Sequence, residues 1–325
     1  MKLLKLVPDN TNIKFLKLRI PFFVLSIVLI VGSWAAVLLN GLNFGVDFAG
    51  GQEVRMTFEE REAAPIPSLR ELVGGLGYGE PVVQEFGGPN AVSIRVALPE
   101  GAEDTPGAAT AIGGEVIAAI VAQYPDARTD GNDTVSGKVA GEFRNQAILA
   151  LLAAMAAVAI YIWVRFEWQF GVGALFALFH DVSVTLGLFA LTQMEFSLQI
   201  VAAILAIIGY SLNDTIVVYD RIRENLKKFR KMPLPELLDL SVNETLARTI
   251  MTSLTLFVAL IPLLIFGPPS LFGMVAAITT GLFIGTYSSV YMAGPLLIWM
   301  GVTSNSFVPL ETAMDRQEKI ARGEV

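Results

Sequence analysis

The residue in this sequence with the clearest chemical potential is an acid inside an apolar segment. Asp214 lies near the end of a long apolar run, Ser211 precedes it by three residues, and Asn213 is its direct neighbour. Residues three apart share a helical face, so Ser211 and Asp214 are expected to point the same way. An ionisable side chain in lipid costs at least ~2.5–3.5 kcal/mol, so its presence there indicates function. The chemistry open to this carboxyl is reversible binding of a proton.

A cation at the start of the next apolar segment is the natural partner for this acid. Arg248 is followed by Thr252 and Thr255 at i+4 and i+7, which places all three on one helical stripe. A bundle lowers the cost of Asp214 by facing it towards Arg248, hydroxyls and water. The alternative is that Arg248 only anchors the helix at the interface and extends its side chain to lipid phosphates.

A second polar pair, His180 and Asp181, lies in the middle of the third apolar segment. His180 is the single histidine of the chain, and an interhelical hydrogen bond is a simpler role for it than binding a ligand. Asp181 is expected to cap a kink or to bind a neighbouring hydroxyl. With Ser211, Asn213 and Thr252, these two residues are predicted to form a polar shell around the acid.

The elements that position these residues are membrane-spanning helices. Hydrophobic residues make up 54% of the chain and charged residues 16%, well below the charged share of about 25% in soluble proteins. Runs of roughly 17–25 apolar residues are long enough to cross a bilayer. Six are found, at 20–39, 147–164, 170–191, 198–219, 250–266 and 271–300. The last run is too long for a straight span, so we expect a tilt or ends outside the lipid.

Lysine and arginine in the short connections indicate the orientation. Basic residues are concentrated in the N-terminal arm (1–19), in the loop at 220–248 and in the tail (301–325), whereas the connections at 193–197 and 267–270 have none. Both termini are therefore predicted to be cytoplasmic, with helices two to six between residues 147 and 300. The first apolar run is longer than the core of a cleavable signal, which predicts an uncleaved span.

The region between the first two spans, 40–146, is predicted to be a small external domain with an α+β fold. Alternating Val54, Met56 and Phe58 mark a strand at 52–58, and further strands are expected at 81–86, 91–98 and 128–135. Helices are expected from a cap at Ser68 and over 108–124. The order β-α-β-β-α-β is typical of a ferredoxin-like unit. Its charge is acidic, which argues against nucleic-acid binding.

A glycine-rich segment at 45–51 joins the first span to this domain. One interpretation makes Gly45, Asp47, Gly50 and Gly51 a hinge or a peptide-contact site. The simpler one is a tight turn in which Asp47 binds local amides, and the residues alone favour it.

Several chemistries are excluded by composition and motifs. The chain has no cysteine and one histidine, so thiolate and ordinary zinc sites are ruled out. There is no phosphate-binding loop and no nucleophile elbow. Asp181 and Asp214 lack the glycine-rich flanks suited to an intramembrane aspartyl protease. We therefore expect no enzymatic activity and no cofactor, with protons as the coupling ion.

Four stretches together resemble the SecD/SecF family of bacterial protein-export membrane proteins, which are relatives of the resistance-nodulation-division exporters. They are GVDFAGG at 45–51, FHD at 179–181, SLNDTIVVYDRIREN at 211–225 and NETLART at 243–249. The resemblance covers nearly the whole chain, and the third motif is long and specific.

This resemblance implies a six-span half-transporter in the bacterial inner membrane, with residues 40–146 in the periplasm. It implies pairing with SecD near the SecYEG translocon, with YajC as a further candidate partner and the translocating polypeptide as cargo. The proton-motive force would drive late movement of that polypeptide, with Asp214 and Arg248 as the proton relay. Two other functions stay open at this point: a translocon scaffold without proton coupling, and half of a small-molecule/proton antiporter.

Overall fold

Six long apolar helices form the membrane part of the molecule. The computed structural model describes Pro8, residues 11–99 and residues 107–302. Within this part, each of six segments is long and apolar enough to cross a bilayer. They are α1 (Arg19–Asn40, after a 3-10 turn at Phe15–Leu18), α5 (Gly137–Arg165), α6 (Trp168–Thr192), α7 (Leu198–Lys228), α8 (Leu234–Phe266) and α9 (Pro269–Ser288), which continues through a π-helical turn (Ser289–Ala293) into α10 (Gly294–Trp299).

The helices extend beyond the apolar runs that predict them. α5 begins at Gly137, where the Ser136 hydroxyl caps it by accepting from the Val139 amide at 3.3 Å. The predicted basic loop at 220–248 consists mainly of helix, because α7 continues to Lys228 and α8 begins at Leu234. Charged helical turns outside the lipid continue the hydrogen-bonded backbone of each span, so hydropathy alone underestimates helix length.

α6 and α7 lie at the centre of the bundle. In each of these two helices, 56% of the apolar 18-residue stretch is buried inside the protein, compared with 11% in α5 and 6% in α8. Phe170 of α6 packs edge-on against Tyr219 of α7, with ring centroids 4.9 Å apart. Small residues let α9 approach α7 closely: a Cβ on Gly281 would lie 2.5 Å from the Ile207 side chain, and one on Gly285 would lie 3.0 Å from Ser211. Close packing of this kind holds helices together in lipid.

The sixth span is interrupted rather than straight. Its π-helical turn at Ser289–Ala293 widens the helix, and the Tyr219 hydroxyl donates to the Ala293 carbonyl there at 3.3 Å. The helical run nevertheless continues from Pro269 to Trp299, 31 residues in all.

The external domain has the predicted ferredoxin-like fold. Its elements follow α2 (Val46–Ala49) and are β1 (Gly51–Phe58), α3 (Ile66–Gly74), β2 (Val82–Glu85), β3 (Ala91–Val96), α4 (Ala108–Gln123) and β4 (Ala127–Val135). The strands form one antiparallel sheet in the order β2-β3-β1-β4. The predicted order of strands and helices is confirmed. The predicted cap at Ser68 is wrong, because α3 begins two residues earlier, after Pro65, with a proline in its first turn.

One face of this sheet packs on α3 and α4. The alternating residues Val54, Met56 and Phe58 are fully buried against Leu69, Val73, Val116 and Ile120. Because side chains alternate along a strand, Glu53 and Arg55 point to the opposite face. That face is turned to the membrane bundle.

Candidate functional site

Asp214 lies inside the bundle, as its position in the sequence suggests. It belongs to α7, and only 1% of it is exposed. The Thr252 side chain of α8 faces its carboxyl group. One carboxyl oxygen, Oδ2, is buried without a hydrogen-bond partner among the described residues. A buried carboxyl group with an unsatisfied oxygen is unusual in a folded protein and calls for an explanation.

Among the described residues, the side chain that contacts the Asp214 carboxyl is Thr252 and not Arg248, so the expected contact between Asp214 and Arg248 is wrong for this conformation. The Arg248 side chain is exposed at the bundle surface. It lies one helical turn before Thr252, whose hydroxyl donates to the Arg248 carbonyl at 3.1 Å. A guanidinium loses hydration when it is buried, so the outward position is favoured unless the charges meet directly. Arg248 thus lies one helical turn from Thr252, the α8 residue that faces Asp214.

The surface beside Thr252 is open. A groove of about 500 Å³ between α7 and α8 is lined by Tyr210, Met251, Thr252, Thr255, Leu256 and Ala259. At its α9 side, the Tyr210 hydroxyl donates to Ser253 at 2.9 Å, and Ser253 is 2.9 Å from the Thr286 hydroxyl. Polar groups therefore continue from this groove into the bundle.

The predicted polar shell divides into two parts. Asp181 accepts hydrogen bonds from Ser211 of α7 at 2.5 Å and from Ser288 of α9 at 2.9 Å, so the expected contact with a neighbouring hydroxyl is confirmed. Thr252 lies instead with Asp214. Asn213 does not belong to either part, because its side chain is exposed on the outer face of α7.

His180 makes a hydrogen bond within its own helix rather than between helices, which corrects the expectation. Its Nδ1 lies 2.9 Å from Asp181 Oδ1, and its Nε2 is fully buried without a partner in the described structure. Adjacent residues reach each other here because the ring turns back onto the carboxyl group. The Asp181 carboxylate thus joins α6, α7 and α9, with His180 as its third contact.

The glycine-rich segment is anchored to the connection between α6 and α7. The Gly45 amide donates to the Phe196 carbonyl at 3.0 Å, and the Phe196 amide donates to Asn43 at 2.7 Å. Asp47 Oδ2 accepts from the Leu198 amide at 2.8 Å, which is 151 residues away in the chain and not the local amide that was expected. Asp47 caps α7, whose own N-cap residue, Ser197, makes no side-chain cap. The turn itself needs glycine: Gly51 has φ +121°, and a Cβ there would lie 2.8 Å from the Val96 carbonyl.

Two acids at the junction of the two parts, Glu53 and Glu195, did not stand out in the sequence. The side chain of Glu53 is completely buried although it lies on the polar face of β1. Alternation in a strand predicts that this face is polar, but it does not predict that another part of the chain covers it. The only local signal is the placement of Glu195 in a short connection next to α7.

Comparison with known proteins gives a consistent assignment over most of the chain. Residues 116–303 match the family described as protein export membrane protein SecD/SecF, C-terminal, and residues 35–60 match the SecD/SecF GG motif. The chain is 45% identical over 302 residues to the protein translocase subunit SecF of Cereibacter sphaeroides, covering 92% of this chain and 93% of that one. It is 38% identical over 305 residues to the same subunit of Pseudomonas aeruginosa, covering 92% and 94%.

Solved structures with the same fold are longer proteins. The crystal structure of SecDF, a translocon-associated membrane protein from Thermus thermophilus, matches with a TM-score of 0.81 and 30% identity, covering 90% of this chain. SecDF in its super-membrane-facing form matches with a TM-score of 0.66 and 29% identity, covering 97%. The chain spans only 39% and 40% of those two proteins. The family matches, the two relatives and the shared fold all agree: the chain belongs to the SecF proteins of the SecD/SecF family of protein export membrane proteins.

Proposed function

We propose that this SecF protein couples the proton-motive force to late movement of polypeptide across the inner membrane, together with SecD. The observation that carries the proposal is the state of Asp214: a carboxyl inside the bundle, almost fully buried, with one oxygen that has no hydrogen-bond partner among the described residues. A fixed structural acid has all its oxygens satisfied, as Asp181 shows with its three side-chain contacts. An incompletely satisfied acid is suited to exchange a proton.

In this mechanism Asp214 and Arg248 act as a relay. When Asp214 loses its proton, its negative charge attracts the Arg248 guanidinium across the one turn that separates Arg248 from Thr252. When Asp214 is protonated, that attraction disappears and Arg248 returns to the exposed position that the structure shows. A proton moving down 100 mV supplies ~2.3 kcal/mol, with ~1.4 kcal/mol more for each pH unit. This is enough to bias an equilibrium between two packing arrangements of helices.

The proposed assembly rests on the solved SecDF structures, of which this chain matches 39% and 40%. The SecDF proteins contain a further region beyond the part that this chain matches. We propose that a separate SecD subunit supplies it and packs against the exposed apolar surfaces of α5 and α8, with lipid covering the rest. The same proposal includes cytoplasmic termini, a periplasmic external domain, and contacts with SecYEG and YajC. It also includes a hinge formed by Gly45, Asp47, Gly50 and Gly51.

The proposal is tested by removing the titrating group without changing its shape. Asp214→Asn in the SecD-containing complex should assemble normally but lose the stimulation of export by a proton gradient in energised vesicles. The matched control is Asp220→Asn, the same change on the same helix at an exposed position that pairs with Arg165. Gradient-dependent export that survives in Asp214→Asn contradicts the relay.

Substitutions of Arg248 distinguish the proton relay from the scaffold and antiporter functions. Arg248→Lys keeps a positive charge and should retain part of the coupling, whereas Arg248→Met should abolish it. A scaffold without proton coupling predicts that both variants export normally if the complex assembles. An antiporter predicts proton flux that a small molecule stimulates in the purified protein.

A further inference from the structure

The external domain meets the membrane bundle through the polar face of its sheet. The connection between α6 and α7, residues 193–197, lies against this face and covers Glu53. Arg95 of β3 donates to the Phe44 carbonyl and, at 2.5 Å, to the Asn43 side chain. Charged groups and the aromatic rings of Phe44, Phe48 and Phe196 both contribute to the junction. The charged groups that are buried there need hydrogen-bond or ionic partners.

Two carboxyl groups, one from each part, meet at the centre of this junction. Glu53 Oε1 accepts from the Ser93 hydroxyl at 2.6 Å, and Glu53 Oε2 accepts from Arg55 at 2.5 Å. The Glu195 carboxyl lies within hydrogen-bonding reach of Glu53. Gly45 makes room for it, because a Cβ at that position would overlap the Glu195 carboxyl.

Two carboxylates in contact are stable only if they share a proton. Burial, followed by the charge of Glu53, raises the pKa of Glu195 to about 8. Burial also acts to raise the pKa of Glu53, but the hydrogen bond and charge of Arg55 prevail and lower it. The proton therefore belongs to Glu195, which donates it to Glu53.

The remaining charged groups around Glu195 do not remove this preference. Arg95 and Arg55 act to lower the pKa of Glu195, but their effect is smaller than that of burial and Glu53. Asp133 of β4 lies 3.1 Å from Arg55 and partly neutralises it. A cleft of about 250 Å³ borders the pair and gives protons a route from the external side. Its charged lining residues are Asp47, Arg55, Glu85, Asp133 and Glu195.

We propose that Glu195 is a proton-binding site on the external side of the molecule, and that its proton fastens the external domain to the bundle through Glu53. The site lies outside the membrane spans and is separate from Asp214. Docking retains the proton on Glu195, so low pH favours it, and docking weakens as pH rises through about 8. Between about pH 4.5, the ordinary pKa of a glutamate, and about pH 8, the ratio of docked to released domain should fall by up to about tenfold for each pH unit, and above about pH 8 it should level off.

The test uses the whole chain in lipid nanodiscs without a proton gradient or partner, so the result does not depend on transport. The sequence has no cysteine, which allows two spin labels to be placed selectively. Suitable positions are Glu71 of α3, which is exposed, and Phe266 at the end of α8, which is 84% exposed. Electron double resonance then gives the distance distribution between external domain and bundle from about pH 4 to about pH 10.

In the doubly labelled parent protein, a second, longer distance should grow as the pH rises to about 8 and then stay constant. Glu195→Gln carries an amide that donates to Glu53 at every pH, so the short distance should persist throughout the range. Glu85→Gln, the same change at an exposed position in the same cleft, should behave as the parent protein. An infrared band of a protonated carboxyl that disappears at high pH, and that Glu195→Gln lacks, supports the assignment independently of docking. The proposal is overturned if the distance distribution of the parent protein does not change with pH. It is also overturned if the longer distance still grows with pH in Glu195→Gln.

Discussion

The link between Asp47 and α7 makes a sharp prediction about how the glycine-rich segment is held. Asp47 Oδ2 accepts from the Leu198 amide at 2.8 Å, and Leu198 is the first residue of α7. The first turn of α7 contains no acid of its own, so Asp47 is its acidic side-chain cap. Replacing an aspartate cap by alanine costs about 1 kcal/mol, and the lost charge near the helix N-terminus adds about 0.3–1 kcal/mol. Asp47→Ala should therefore loosen this helix end by about 1–2 kcal/mol.

Hydrogen–deuterium exchange measures this loosening locally. A change of 1–2 kcal/mol corresponds to a 5- to 30-fold faster exchange of the amides in the first turn of α7, if opening is local there. Asp47→Asn keeps an oxygen acceptor and loses only the charge, so it should lie between the parent and Asp47→Ala. Ser197→Ala is the matched control, because Ser197 occupies the N-cap position of α7 but its side chain makes no cap. Equal protection in Asp47→Ala and the parent, or a larger effect of Ser197→Ala, refutes the assignment of Asp47 as the cap.

Two glycine substitutions test the close approaches in the fold, each measured as free energy of unfolding in mixed micelles. Gly77→Ala has φ +84° and open space around the new Cβ, so it should lower the free energy of unfolding by about 1–2 kcal/mol. Gly51→Ala, at φ +121°, should lower it further, because a backbone carbonyl lies 2.8 Å from the new Cβ. Gly281→Ala should destabilise the contact with Ile207 by about 1–3 kcal/mol, whereas Gly209→Ala, with nothing within 4 Å, should be neutral or stabilising. Equal effects within either pair would contradict the packing described.

Local pattern was sufficient to predict most elements of the fold. Apolar runs longer than a bilayer is thick predict spanning helices because backbone groups in lipid must be satisfied within the helix. Period-two alternation predicts β1, because one side of a strand faces a core. The ferredoxin-like strand order then follows from the order of the elements, and the sheet β2-β3-β1-β4 agrees with it. The helix ends were less predictable, since charged turns such as the end of α7 continue a helix without contributing to hydropathy.

Partners distant in sequence were decided only by the tertiary structure. The residue types identified Asp214 as a buried acid, but they did not show that Arg248 is turned outward in this conformation. Asp47 appeared to be a turn residue, yet it caps a helix 151 positions away in the chain.

What the sequence determines by itself is the set of helices and strands and the polar groups that each one carries. Which of those groups become buried depends on how separate elements pack, and the buried face of Glu53 shows this most clearly. Burial and charge act over a few ångströms in space, and positions along the chain do not reveal those distances before it folds.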